Sequence, residues 1–228
     1  MSEPFRRRGR ARDAEAARQS ILDAAEGVFA EHGFDGARVD AIASKAGYNK
    51  SLIFQYFGDK LHLYAEVIRR ADDQTREIQT QLFSSLIEDK FSLTAQKLRT
   101  LLKTFMSAYL DYLIENPRIL RIYLWEMAEG WQTYARIVSQ RDFDDIAELT
   151  PVLQQIQELG LLRSDYNPIF QVIAPIWFCV AYLALIPIYK TMLPEEDITS
   201  AAALSSAKEY VLEFVSHGLF VEPSEVRS

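Results

Sequence analysis

Apolar residues recur at spacings of three and four along nearly the whole chain, and strand-like alternation is almost absent, which predicts an all-α protein. Ile21, Ala24, Ala25, Val28 and Phe29 define a first helix, with Gly33 placed to supply the left-handed residue that ends it. Val39, Ile42, Ala43 and Ala46 define a second that stops at Gly47. Asn49, a favourable N-cap, opens a short third in which Ile53 and Phe57 share a face. Long helices are expected from Leu61 to near Asp89 and from Leu93 to Glu115, the latter stopped by Asn116-Pro117 because proline disfavours a helical residue before it. Pro117 starts another, running through Ile119, Leu120, Tyr123 and Met127 to Gly130. A further segment, divided or kinked at Thr150-Pro151, ends at Gly160. The apolar stretch Ile169 to Tyr189 and a last helix from Thr199 to Gly218 bring the expectation to about nine helices.

Charge is divided unevenly along this pattern. The chain has 228 residues and a formal net charge of -7, yet residues 1–60 hold ten Lys/Arg against nine Asp/Glu, so the acidity belongs to the remainder. Arg6, Arg7, Arg8, Arg10 and Arg12 make a local basic arm that can neutralise phosphates. The single cysteine, Cys179, excludes an internal disulfide; a reducing compartment and a packing role are expected, and with no secretory pattern at the N-terminus the expected location is cytoplasmic. Val172 to Tyr189 is eighteen residues without a formal charge, long enough to span a membrane. Pro175 and Pro187 interrupt it and Gln171 and Lys190 bracket it, so a buried interface helix is the expected role and no membrane partner is assigned.

The candidate chemistry lies in the turn Ala46-Gly47-Tyr48-Asn49. Two helices joined by a turn of three or four residues with a glycine form the unit that sets a recognition helix into the major groove, although spacing alone fits an ordinary helical hairpin equally well. Catalysis has little to stand on: His32, His62 and His217 are scattered, and the chain has no HExxH, no paired CxxC, no phosphate-binding glycine loop and no GxSxG elbow. No enzyme activity, cofactor or metal is expected.

Ile21-Leu22, Ala24-Ala25, Phe29, Gly33-Phe34, Val39, Ile42-Ala43, Ala46-Gly47, Ile53, Tyr56-Phe57 and Lys60, all between Arg18 and Leu63, together resemble the N-terminal signature of the TetR family of transcriptional regulators. The resemblance is strong over about a fifth of the chain and architectural over the rest. It implies a flexible basic arm (1–12), a helix-turn-helix domain (13–60) and a helical ligand-binding and dimerisation domain (61–228). The DNA-facing set it implies is Arg38, Tyr48, Asn49, Lys50, Ser51, Phe54, Gln55, Tyr56 and Lys60. Lys50 is suited to guanine N7 and O6, Gln55 to adenine or the backbone, and Tyr48, Ser51 and Tyr56 to phosphate; Lys60, at a helix N-terminus, suits a phosphate clamp. Three departures alter the pattern. Phe54 stands where the family has tyrosine, Ala37-Arg38 replaces a Ser/Thr pair, and Leu52 replaces a small polar residue.

For the body, the resemblance implies a small apolar or aromatic effector among central helices. Phe105, Tyr109, Tyr112, Tyr123, Trp131, Trp177, Phe178 and Tyr182 are the candidate lining, with Asp111 or Glu126 as acids able to orient a ligand. It further implies a homodimer through the last two helices, presenting two recognition helices to a near-palindromic duplex. The function expected is a repressor released from double-stranded DNA by its ligand; a TetR-like activator and a helical protein-interaction module without DNA binding are the alternatives.

Overall fold

The computed structural model describes residues 3–88, 94–139, 144–198 and 200–219. Among these every regular element is a helix, in the order α1 (Glu3–Gly36), α2 (Val39–Ala46), α3 (Lys50–Phe57), α4 (Lys60–Glu88), α5 (Ala95–Glu115), α6 (Pro117–Ala128), α7 (Gln132–Val138), α8 (Asp144–Glu158), α9 (Pro168–Met192) and α10 (Ala201–Leu219). Residues 3–12, expected as an arm ahead of the first helix, form the leading turns of α1; their Arg and Ala residues are good helix formers. The side chains of Arg6, Arg7, Arg8 and Arg10 lie outside those described, and Arg12 is exposed. The helix not foreseen is α7. It is only seven residues long, too short to show a periodicity, and it buries Thr133 and Ile137.

The chain divides into two compact units, Met1–Gln74 with Pro117–Gln140, and Thr75–Asn116 with Arg141–Ser228. Residues 13–60 lie wholly in the first, which also takes in the start of α4 and all of α6 and α7. Its centre is α1, packed against α2 and α6. Ile21, Ala25, Phe29, Ile42, Ile53, Leu63 and Val67 are 0–1% exposed, and each fully buried large side chain contributes roughly 1.5–3 kcal/mol relative to exposure. Along the α1–α4 seam Arg70 pairs with Asp23 and Glu26, and Arg18 with Glu66.

In the second unit α9 packs on α5, α8 and α10. Pro168 opens α9 at a position where a missing N–H costs nothing, and the Asn167 side chain accepts from Ile169 N. Pro175 and Pro187 lie inside this helix and Pro151 inside α8, so none of the three ends its helix. Cys179 is buried in α9, and burial pushes its thiol up to about 12, in keeping with a packing role.

Candidate nucleic-acid interface

Gly47 makes the turn between α2 and α3 in the left-handed conformation (φ 76, ψ 21), which a side chain would resist. Tyr48 N then donates to Ala43 O, closing the second helix. Asn49 follows in extended conformation and its Oδ1 accepts from Leu52 N at 2.8 Å, capping α3. Of the predicted DNA-facing set, Asn49 thus has its side-chain oxygen occupied within the protein. At α2 the N-cap residue Arg38 makes no side-chain cap bond, as the missing hydroxyl at this position foretold.

The short third helix is two-faced. Ile53 (1% exposed) and Phe57 (6%) are buried, while Lys50, Ser51, Phe54 and Gln55 face solvent, joined by Arg38, Tyr48 and Asn49; Tyr56 is half-buried. Two aromatic rings, Tyr48 and Phe54, are therefore held at the surface, Phe54 beside a cation. Lys50 Nζ lies 3.0 Å from Asp40 Oδ2 and 5.9 Å from the Phe54 ring centroid.

Lys60 is placed differently from the other candidates. Its Nζ donates to Asp35 O at 3.2 Å and sits 4.6 Å from the Phe34 ring centroid, half-buried. Burial lowers the pKa of this ammonium, against the opposing pull of Asp35 and Glu129. The bond to the Asp35 carbonyl, whose net worth is about 0.5–1.5 kcal/mol, uses one of the three ammonium N–H donors. Beside it Asp59 caps α4 by accepting from His62 N at 2.8 Å, and this backbone bond holds the Asp59 carboxyl below its ordinary range.

Behind the surface lies a polar lock whose role the sequence did not reveal. Tyr64, at the start of α4, packs edge-on against Phe29 (4.7 Å between centroids) and close to Phe34 (5.1 Å). Its hydroxyl donates to Glu126 Oε1 at 2.7 Å, and Tyr134 N donates to Glu126 Oε2 at 3.0 Å. Glu126 is 0% exposed, so its carboxylate ties α4, α6 and the first turn of α7 together. The available signal was its place in the apolar row of Ile119, Ile122 and Tyr123, where an acid points inward. Burial and the bond to Glu126 push the Tyr64 hydroxyl well above its usual pKa. Trp125 Nε1 donates to Ala30 O at 3.2 Å, crossing α1 beside Gly33. A Cβ on Gly33 would meet Trp125 and Glu129 side-chain atoms at 3.0 Å, and its φ of 67 excludes most other residues besides.

The acids proposed to orient a ligand have other occupations: Glu126 is satisfied internally, and Asp111 is exposed and paired with Lys208 at 2.6 Å. Of the aromatic candidates, Phe105, Tyr109 and Tyr112 follow one another along α5, at most 8% exposed, with centroids 6.1 and 6.3 Å apart. Phe178 stacks on Phe214 of α10 at 5.2 Å, Tyr182 lies 6.1 Å from Tyr189, and Trp177 is half-buried on α9. Tyr123 and Trp131 belong to the first unit, Tyr123 buried in α6 and Trp131 edge-on to Tyr134 at the head of α7.

Comparison with known proteins gives this geometry a family. The model of bacterial regulatory proteins of the tetR family matches residues 21–67, from within α1 through α2 and α3 to the start of α4. The HTH-type transcriptional repressor SCO4008 of Streptomyces coelicolor is 34% identical over 169 residues, 69% of this chain and 80% of that protein. The HTH-type transcriptional repressor NicS of Pseudomonas putida is 27% identical over 158 residues, 68% of this chain and 70% of that one. Among solved structures, a putative transcriptional regulator, SCO4942, from Streptomyces coelicolor superposes with a TM-score of 0.58 at 25% identity, covering 89% of this chain and 98% of its own. With a capped helix-turn-helix that turns one cationic, aromatic face outward, and with relatives of this kind over two thirds of its length, the chain belongs to the TetR family and is a DNA-binding transcriptional regulator, not an enzyme.

Proposed function

We propose that the protein is a cytoplasmic repressor that occupies a near-palindromic operator as a homodimer and leaves it when a small apolar or aromatic ligand binds. The observation that carries the reading is the solvent-facing row Lys50, Ser51, Phe54 and Gln55 on a helix whose opposite side is buried, flanked by Arg38 and Tyr48. In this reading Lys50 and Gln55 meet base edges, Phe54 meets a thymine methyl, and Arg38, Tyr48, Ser51, Tyr56 and Lys60 hold phosphates. The names of SCO4008 and NicS, both repressors, support the sign of regulation.

Dimerisation is supported by the last two helices. By length and composition α9 could cross a membrane, and only 29% of its most apolar window is buried within the chain. Phe170 (68% exposed), Ile188 (53%), Tyr210 (68%) and Phe214 (56%) leave an apolar surface that a second copy would cover. A two-fold pair places its recognition helices about one DNA turn apart. The buried aromatic run Phe105, Tyr109 and Tyr112 supports an apolar effector, which acts by binding the DNA-free state better than the DNA-bound one.

Selection of bound fragments from random duplexes tests the core of this. A near-palindrome with half-sites one turn apart, or a multiple, is expected. Replacing Arg38, Lys50 and Lys60 with alanine lowers affinity and reduces the salt slope by about 0.9 for each phosphate no longer neutralised. A protein that ignores every duplex at low salt refutes the reading, and one whose operator affinity no apolar or aromatic compound alters loses the effector part.

A further inference from the structure

One acid stands on the solvent side of the helix-turn-helix, where a polyanion must approach. Asp40 lies in the first turn of α2, its side chain 72% exposed, and its Oδ2 accepts from Lys50 Nζ of α3 at 3.0 Å. Fold stability does not account for the pair, because exposed ion pairs contribute little. Affinity for phosphate does not either, because a carboxylate there repels it and occupies the one cation on this exposed face of α3. What the pair does provide is a donor and an acceptor side by side, presented jointly by two helices and bordered by the Phe54 ring 5.9 Å from Nζ.

That spacing has a counterpart on DNA. In the major groove of a G·C pair, guanine O6 and the cytosine N4 amino group are already joined by a Watson–Crick hydrogen bond, about 2.9 Å apart. Each keeps one capacity facing the groove, an acceptor on O6 and a donor on N4. Set against this edge, Nζ–H meets O6 and Oδ2 meets N4–H, so that four polar atoms close a ring in which donors and acceptors alternate. Guanine N7, beside O6, offers the ammonium a second acceptor. An A·T pair offers the same acceptor and donor on thymine O4 and adenine N6, so what separates G·C is the ammonium's neighbour: guanine N7 beside O6, where thymine sets a methyl group beside O4.

We propose that Asp40 and Lys50 together read one G·C base pair in each half-site, Lys50 on the guanine and Asp40 on the cytosine amino group of the opposite strand. The inference rests on α3 being the DNA-facing helix and adds a specificity-determining acid to it. Because the two side chains already hold each other in the free protein, part of the ordering cost of a base contact is met before DNA arrives. The same acid disfavours non-specific binding, since Lys50 cannot give up its partner to a phosphate without leaving a carboxylate facing the backbone.

The test is binding by fluorescence anisotropy to the duplex obtained by random selection, with each G·C pair changed in turn, and to the same duplex carrying N4-methylcytosine. Wild-type protein is expected to discriminate against the wrong pair at one symmetric G·C position by about tenfold to a hundredfold. Asp40→Ala should remove most of the discrimination against the reversed C·G pair, which sets the carboxylate against guanine O6, at this position alone and steepen the salt slope by about 0.9 as Lys50 is released to a phosphate. Asp40→Glu, which keeps the acceptor, should retain part of it. N4-methylcytosine, whose methyl group takes the groove-facing place, should weaken wild-type binding, a result that needs no variant to fold, and should leave Asp40→Ala unaffected. If Asp40→Ala instead tightens binding to all duplexes equally and keeps the same base preference, or if selection returns A·T at the position set by Lys50, the proposal is overturned. Wild-type protein indifferent to every duplex removes the DNA-facing reading of α3, and this inference with it.

Discussion

Helices α3 and α9 both carry aromatic rings into solvent, and the company those rings keep separates their uses. On α3, Phe54 (39% exposed) is accompanied by Lys50, Ser51 and Gln55, with Tyr48 (37%) just before the helix, on a short helix pinned by Ile53 and Phe57. On α9, Phe170, Phe178, Leu185, Ile188 and Met192 are exposed along a 25-residue helix with one charged side chain, Lys190, near its end. Apolar surface among hydrogen-bond donors and cations suits a hydrated polyanion, which offers charge and methyl groups together. Apolar surface without charge gains only by being covered with more apolar surface. The underlying cores differ as well. The unit under α3 is locked by a buried carboxylate at the junction of α4, α6 and α7, whereas α9 and α10 meet through the stacked rings of Phe178 and Phe214, with Tyr210 stacked on Phe214 within α10.

The largest effect that would break this contrast is expected at the lock. Glu126→Ala leaves the buried Tyr64 hydroxyl without its acceptor, at about 1–3 kcal/mol, and costs the half-buried Tyr134 N–H a bond worth about 1 kcal/mol, so denaturant unfolding should show a loss of roughly 2–4 kcal/mol. A loss below about half a kcal/mol would mean that water replaces the carboxylate and that no lock exists. Next comes a crossed pair of surface changes. Phe214→Asp should weaken self-association by about 2 kcal/mol or more in sedimentation experiments and leave the intrinsic duplex contacts of the head unchanged. Phe54→Ala should reduce duplex affinity by about 1 kcal/mol without altering self-association. Effects that fail to separate in this way would dissolve the distinction between the two faces.

A smaller effect concerns acid. The hydrogen bond from Arg69, followed by that from Arg18, holds the Glu66 carboxyl below its usual range. A depressed folded-state pKa stabilises the protein above the unfolded value of about 4.3, and the gain is lost as pH falls through the depressed value. Glu66→Gln should therefore flatten the stability profile on the acid side, seen by thermal melting across that window, while melts near neutrality show the constant cost of the missing pairs. The smallest expected effect is a gain. Gly27 lies inside α1, and a Cβ there would crowd the flexible end of Lys45 at 2.7 Å and touch Arg118 only at an ordinary 4.0 Å, so Lys45 swings aside. Gly27→Ala should stabilise by about 0.5–1 kcal/mol through helix propensity, less the small worth of the Lys45–Glu31 pair.

Much of the head was legible in advance because its determinants are local. The αL glycine at 47, the cap at Asn49 and the i, i+4 pair Ile53 and Phe57 are each specified within one or two turns of chain, and each is found where the spacing put it. The apolar stripes of α1, α5 and α6 and the stop at Asn116-Pro117 were readable for the same reason. Short α7 was not, because seven residues display no period.

The amino-acid order by itself therefore determined the helical class, the recognition turn and which side of α3 faces outward, since backbone propensity and periodicity act over a few residues. Tertiary structure alone decided that Asp40 meets Lys50 from ten residues away, that Lys60 turns back to Asp35, and that Glu126 serves Tyr64 sixty-two residues earlier. Such pairings depend on how helices cross, and a carboxylate in a helical row carries the same letter whether its partner is water or a buried hydroxyl.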